Sequence, residues 1–319
     1  MRKTLKRVFI ATGTPGIDMS TLFYKSITFL SPKWGRWIFL VFAWFVATGY
    51  FIFFPRRVRN STRIYQALYP GRHRLFHLWC TWRQFHNFTH VFLDRYLLQE
   101  SDDITFRSEG IEYLEDAINK GRGGILLMSH MGNWEVAAHL LKQKLKNLRL
   151  LLYMGARQKE QIEQLQKETL VQSGIRIVAV DEGGGSPMDI VEGIKFIESG
   201  GVVALTGDLV WKKDQRTIPV QFLGQKILLP EAPHLFALLS GAPLFIFFTF
   251  HSGKNKYRFT MSEPIHLTAA SRDERAGAIQ RSAQQYAAVL EAALRNHPLQ
   301  WYHFRPFLKP DPEKPPTAG

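Results

Sequence analysis

From residue 105 onward, short apolar runs alternate with stretches of helical periodicity. Ile125 to Met128 is one such run, and Leu148 to Tyr153, Arg176 to Val180 and Val202 to Leu205 resemble it in length, so each predicts a short buried strand. Glu112–Lys120, Asn133–Lys144, Gln158–Gln172 and Asp189–Glu198 predict helices, and Gly121-Arg122-Gly123-Gly124 stops the first of them. Strand and helix alternating at this spacing predict an α/β fold, a mainly parallel sheet flanked by helices, over residues 105–305. Phe245–Phe250 and Tyr257–Met261 predict a late antiparallel pair around Gly253, and Asp273–Arg295 a long helix. The Pro-rich tail, residues 306–319, is expected to be disordered.

Upstream the pattern differs. Residues 37–54 carry no charge, with Arg36 before them and Arg56, Arg57 and Arg59 after. That stretch predicts a transmembrane or membrane-embedded helix, preceded by a basic segment over residues 1–36. Residues 55–104 interleave Arg, His and aromatics, which predicts helices at a membrane surface or over the core. Arg56, Arg57, Arg59 and Arg63 favour a cytoplasmic body, whereas Arg2, Lys3, Lys6 and Arg7 argue the other way. With 41 Lys and Arg against 27 Asp and Glu, the net charge of +14 favours an anionic partner: a phospholipid surface, an acidic carrier, a phosphorylated substrate or nucleic acid. No nucleic-acid motif supports the last, and no nucleic-acid partner is expected. The single cysteine, Cys80, excludes an intrachain disulfide and reads as a small buried residue. His73, His77, His86 and His90 have only Asp94 nearby to complete a ligand set, and no metal site is expected.

The sharpest local feature is Ser129-His130-Met131-Gly132-Asn133-Trp134-Glu135, where a strand ends and a helix begins. His130 and Glu135 are five apart and on one continuous helix would face different ways, at about 100° per residue. They meet only with His130 in the turn before the helix. Gly132 supplies that turn and Asn133 the N-cap. Glu135 then sits in the first helical turn, where the dipole favours a carboxylate. A histidine near neutral pKa can take a proton from an alcohol, and a carboxylate on its other nitrogen fixes the tautomer. The bland alternative is a turn histidine beside a helix-start carboxylate. His139, four residues on from Glu135, is a rival partner. Asp208 ends an apolar strand, a place where α/β folds put site residues. Asp181-Glu182-Gly183-Gly184-Gly185-Ser186 lacks the Gly-Lys-Ser/Thr ending of a phosphate loop and reads as a flexible substrate-side loop.

Ser129–Glu135 resembles the His-x4-Asp/Glu motif of the glycerolipid acyltransferase superfamily. Its Gly-Asn-Trp-Glu continuation is similar to the late acyltransferases of lipid A biosynthesis and to mycobacterial mannoside acyltransferases. Gly200–Asp208, Val220–Gly224, Leu229-Pro230 and Ser240–Pro243 are similar to later blocks of that family, and the closing Gln300–Arg305 matches its aromatic–His–Arg ending in part. The resemblance covers roughly residues 20–305. It implies an O-acyltransferase on the cytoplasmic face of a bacterial inner membrane, moving a fatty acyl group from acyl carrier protein or coenzyme A to a hydroxyl of a lipid A-type or related glycolipid acceptor. No cofactor is implied. By it His130 is the base and Glu135 its partner. Asn133, Arg157, Asp208 and Glu231 are read as substrate-side residues. Arg157 can meet a phosphate of donor or acceptor, or be a solvated helix-start residue. Glu231 departs from the pattern and either caps the following helix or contacts acceptor. A lysophospholipid or amino-acid lipid acceptor, and a catalytically silent lipid-binding protein, are the alternatives.

Overall fold

Proline and glycine punctuate the N-terminal half. The computed structural model describes residues 36–100, 105–155, 174–180, 187–210, 214–253 and 255–308. Helix α1 (Arg36–Phe53) gives way to α2 (Pro55–Leu68), whose first position is a proline with no N–H to lose. Tyr69-Pro70-Gly71 ends α2, and α3 runs from Arg74 to Glu100. The hydroxyls of Thr62 and Thr81 meet at 3.0 Å between α2 and α3. Trp44 and Phe51 of α1 lie edge-on to Trp82 and Phe85 of α3. Among the described residues no helix is long and apolar enough to cross a membrane. His86 Nδ1 lies 2.8 Å from the Trp82 carbonyl, and its Nε2 is 3.2 Å from the Thr48 hydroxyl. His77 Nε2 is 2.9 Å from the Tyr69 carbonyl.

From Thr105 onward the described residues form a seven-stranded sheet. In chain order its strands are β1 (Thr105–Glu109), β2 (Gly124–Met128), β3 (Leu150–Gly155), β4 (Arg176–Val180), β5 (Val202–Thr206), β8 (Leu244–Gly253) and β9 (Lys256–Met261). Across the sheet the order is β1-β9-β8-β2-β5-β3-β4. Strands β8, β2, β5, β3 and β4 run parallel, β9 is antiparallel to β8, and β1 is parallel to β9. The β8–β9 pair is the antiparallel one expected around Gly253. A separate hairpin joins β6 (Thr217–Phe222) to β7 (Gln225–Pro230).

Helices cover both faces, so the central strands are apolar on both sides. All five residues of β2 are buried. Ile125 and Leu127 enter one layer with Val203, Leu244 and Ile246, and with Tyr286 and Leu290 of helix α8 (Glu274–Asn296). Leu126 and Met128 enter the other with Ala204 and Phe245, and with helices α4 (Ile111–Asn119) and α5 (Trp134–Lys144). Burying each such side chain contributes about 1.5–3 kcal/mol, which fixes the β2–β5 register on which the site depends. Helices α6 (Pro187–Glu198) and α7 (Ala232–Ser240) pack on the first layer through Phe196 and Phe236. The chain runs from β2 outward to β3 and β4, then returns to place β5 between β2 and β3. The carboxyl ends of β2 and β5 therefore mark a switch point, the place where open α/β sheets put their ligand sites.

Candidate active site

The register of β2 and β5 brings the central residues together. Met128 pairs with Thr206, the last residues of their strands. His130 and Asp208 each lie two residues further on, side by side at the same sheet edge. The Gly207 N–H carries the pairing one step beyond β5 by donating to the Met128 carbonyl at 2.8 Å. A side chain at 207 would stand 2.7 Å from both Leu127 and the Tyr286 ring, so glycine is what lets the strand end pack here.

The turn after His130 is built from backbone. Gly132 has φ of +70°, and a Cβ there would lie 1.6 Å from the Thr249 carbonyl oxygen. The Asn133 N–H donates to that carbonyl at 3.0 Å and the Gly132 N–H to Gln300 O at 2.7 Å. Asn133 is the N-cap of α5, its Oδ1 accepting from the N–H groups of Glu135 (3.2 Å) and Val136 (3.3 Å). Its Nδ2 is 3.4 Å from Asp94 Oδ2. Asn133 is therefore committed to the helix start.

The carboxylate on the His130 ring is that of Asp208, not that of Glu135. Nδ1 of His130 lies 2.9 Å from Asp208 Oδ1, and the His130 backbone N–H donates to Oδ2 at 2.8 Å. Oδ2 also accepts from the Trp301 indole N–H at 2.9 Å. The physical reason is topological: sheet register places residue 208 beside residue 130, whereas Glu135 is turned inward in the first turn of α5, 2% exposed, where its charge acts on His139.

The electrostatics follow from this contact. Burial alone works against a charged His130 ring, but the Asp208 carboxylate outweighs it by charge and hydrogen bond, and the pKa is raised. Burial pushes Asp208 up, yet the His130 charge and hydrogen bond, with help from His303 and the Trp301 N–H, bring it down to about 2. His303 lies edge-on to His130 with ring centroids 5.6 Å apart, and burial pushes it down to about 4. It is a neutral neighbour that places no second positive charge beside His130. The His130 side chain is 35% exposed and Asp208 fully buried. With Nδ1 on Asp208, Nε2 is the ring nitrogen left to exchange a proton, on a side chain that is partly exposed. A base oriented by a buried carboxylate, at a partly open sheet edge, can deprotonate a hydroxyl.

Of the residues read from sequence, His130 and Asp208 are brought together. Glu231 is the N-cap residue of α7, its backbone carbonyl accepting from the N–H groups of His234 and Leu235, and its side chain makes no cap bond. Arg157, the 158–172 helix, the 181–186 loop, residues 1–35 and the tail from 309 lie outside the described residues. Trp301 and His303 carry site contacts that sequence reasoning missed. Their only signal is the aromatic–His run itself, and nothing in its spacing ties it to residue 208.

A family model described as bacterial lipid A biosynthesis acyltransferase matches residues 91–310. A phosphatidylinositol mannoside acyltransferase of Mycobacterium tuberculosis is 23% identical over 206 residues, 62% of this chain. The match spans 58% of that relative's length.

Proposed function

The chain belongs to the bacterial lipid A biosynthesis acyltransferase family, and from that premise we propose that it moves a fatty acyl group from an acyl thioester to a hydroxyl of a lipid acceptor, lipid A-type or a related glycolipid. The observation that carries this reading is the His130–Asp208 contact at the carboxyl edge of the sheet. His130 Nε2 takes the proton from the acceptor hydroxyl as its oxygen attacks the thioester carbonyl. The tetrahedral adduct collapses, the C–S bond breaks, and the thiolate recovers a proton from His130. Asp208 holds the ring in the tautomer with Nδ1 protonated and stabilises the imidazolium between the two steps. Acyl carrier protein or coenzyme A is the donor substrate, and no resident cofactor takes part in this reading. The mycobacterial relative, named for a glycolipid, supports a glycolipid acceptor.

Placement on the cytoplasmic face of a bacterial inner membrane is part of the proposal. Contact with a membrane surface, though not the choice of membrane or face, is supported by the outer side of α1, where Trp44, Phe45, Ile52 and Phe53 are exposed, and by Leu75 and Trp79 of α3. Arg57 lies over the rings of Tyr50 and Phe54, 5.8 and 5.3 Å from their centroids, joining a positive charge to that apolar side. Phe45 is 63% and Phe53 78% exposed, so replacing both by serine removes little packing. The double variant is expected to bind anionic phospholipid vesicles at least about tenfold more weakly. Co-sedimentation measures this, and unchanged binding would remove α1 from the membrane contact.

The test of function is transfer of label from acyl carrier protein thioester, and separately from coenzyme A thioester, into total bacterial lipid by the detergent-purified protein. A labelled glycolipid supports the reading, and a labelled lysophospholipid or amino-acid lipid product would redirect the acceptor. No labelled lipid from either donor would leave a lipid-binding protein and defeat the proposal.

A further inference from the structure

The Asp208 carboxylate is held at both oxygens. Oδ1 faces His130 Nδ1 at 2.9 Å, and Oδ2 accepts from the His130 backbone N–H at 2.8 Å and from Trp301 Nε1 at 2.9 Å. Trp301 arrives from the opposite end of the chain, on a strap sewn into place on several sides. Trp301 bridges antiparallel to Met131. The Tyr302 N–H donates to the His130 carbonyl at 2.8 Å, and the Gln84 side-chain amide of α3 donates to the Trp301 carbonyl. The Gln300 side chain exchanges two hydrogen bonds with the His251 backbone, both 2.9 Å. The indole itself is fully buried against Phe222 and Phe307.

A tryptophan that only filled this space would need its ring and not its N–H. Its single donor is instead aimed at the carboxylate that orients His130. We propose that Trp301 is a positioning residue for His130 that acts through Asp208: its indole N–H fixes the rotation of the carboxylate and draws charge toward Oδ2, so that Oδ1 meets the ring in one geometry and as a moderated acceptor. The proposal rests on the reading of His130 as the base. Among the described residues the other groups facing the pair are few. His303 of the strap is held neutral by burial, and Tyr286 of α8 donates its hydroxyl to the Met128 carbonyl at 3.1 Å. Tyr302 of the strap feels Asp94 of α3. Trp301 is thus the neutral donor on Asp208 whose removal changes the charge that His130 sees without adding or deleting an ion.

The sign follows. A carboxylate that loses one donor concentrates charge on the remaining contacts and favours the imidazolium more strongly. His130 then titrates at higher pH, and a rate that needs the neutral ring loses activity at a higher pH on its acid side. The two proteins to compare with wild type are Trp301→Phe and one carrying benzothienylalanine at 301, which keeps the bicyclic shape and replaces N–H by sulfur. The readouts are the NMR titration of His130 in ring-labelled-histidine protein, assigned by its loss in His130→Ala, and the pH dependence of kcat. Expected are an upward move of both the ring titration and the acid limb, with the plateau kcat down on the order of tenfold. An unmoved titration and acid limb in the benzothienylalanine protein would overturn the proposal and leave Trp301 a packing residue. The ring titration needs no substrate and reports on Trp301 by itself. Failure of the base reading would show elsewhere, as full activity in His130→Ala.

Discussion

Replacing His130 by alanine is expected to lower acyl transfer by at least about a thousandfold while the protein stays folded. Removing the base loses proton transfer at both steps, the attack of the acceptor oxygen and the departure of the thiolate. The fold survives because what ties residue 130 into the structure is backbone: its N–H donates to Asp208 Oδ2 and its carbonyl accepts from Tyr302 N. The ring is partly exposed, so little core packing goes with it. A second consequence is readable in acid. A carboxylate at about 2, below its unfolded value of 3.8, adds stability that is present above the unfolded pKa and lost as pH falls through the folded one. His130 leads the effects that lower Asp208, so without the ring the carboxylate protonates at a milder pH. Acid unfolding of the variant, followed by circular dichroism, should therefore begin at higher pH than that of wild type. Activity within about threefold of wild type would remove His130 from the chemistry.

Much of this site can be read in the sequence, but not its central contact. The strand at Ile125–Met128, the turn at Gly132 and the cap at Asn133 are local features, and local rules of helix capping and apolar runs find them. Asp208 is legible as the end of an apolar strand. Its pairing with His130 is not, because the two are joined by sheet order: β5 enters between β2 and β3 only after β3 and β4 have been laid down. Glu135 attracts attention because it is near in sequence, and spacing cannot distinguish a carboxylate under the helix from one beside the ring. Trp301 is further removed still, since only the strap's return to Met131 brings it to Asp208. The hairpin of β6 and β7 had a readable signal, in Ile218, Val220 and Phe222 before the turn and Ile227 and Leu229 after it. Its turn is Leu223-Gly224, both at positive φ, and a leucine there is outside the Asn-Gly and Asp-Gly pairs that usually announce a two-residue hairpin. Strand β1 is Thr-Phe-Arg-Ser-Glu, a largely polar segment at the sheet edge, and apolar runs alone do not reveal it.

Asp208→Asn is expected to lower kcat by about a hundred- to ten-thousandfold, and the reason lies in the count of donors around that side chain. Both carboxylate oxygens accept: Oδ2 from a backbone N–H and the Trp301 indole, Oδ1 from His130 Nδ1. An asparagine has one acceptor oxygen. With two fixed donors converging on the Oδ2 position, the amide oxygen must take that place, and the NH2 group turns to Nδ1. Nδ1 then has to be the unprotonated nitrogen, the proton moves to Nε2, and the nitrogen that should accept from the acceptor hydroxyl no longer can. The loss of charge acts in the same direction. Asp208 is what raises His130, so in the variant the ring titrates lower and the acid limb of any remaining activity moves to lower pH, opposite to the shift expected for Trp301→Phe. Stability changes with a sign of its own. The Asp208 contribution, on the order of 2 kcal/mol for a carboxylate held at about 2, is present above its unfolded pKa of 3.8 and disappears as pH falls through the folded value. The His130 contribution is present below its unfolded pKa of 6.5 and is lost as pH rises through its raised folded value. Wild type should therefore exceed Asp208→Asn in stability most clearly between about pH 4 and pH 6.5, where both charges are present, and the gap should narrow on either side. Denaturant unfolding across that range, beside the pH dependence of kcat, tests both statements. An acid limb that stays in place with activity near wild type would mean that some other group orients His130, and Glu135 would then return as its partner.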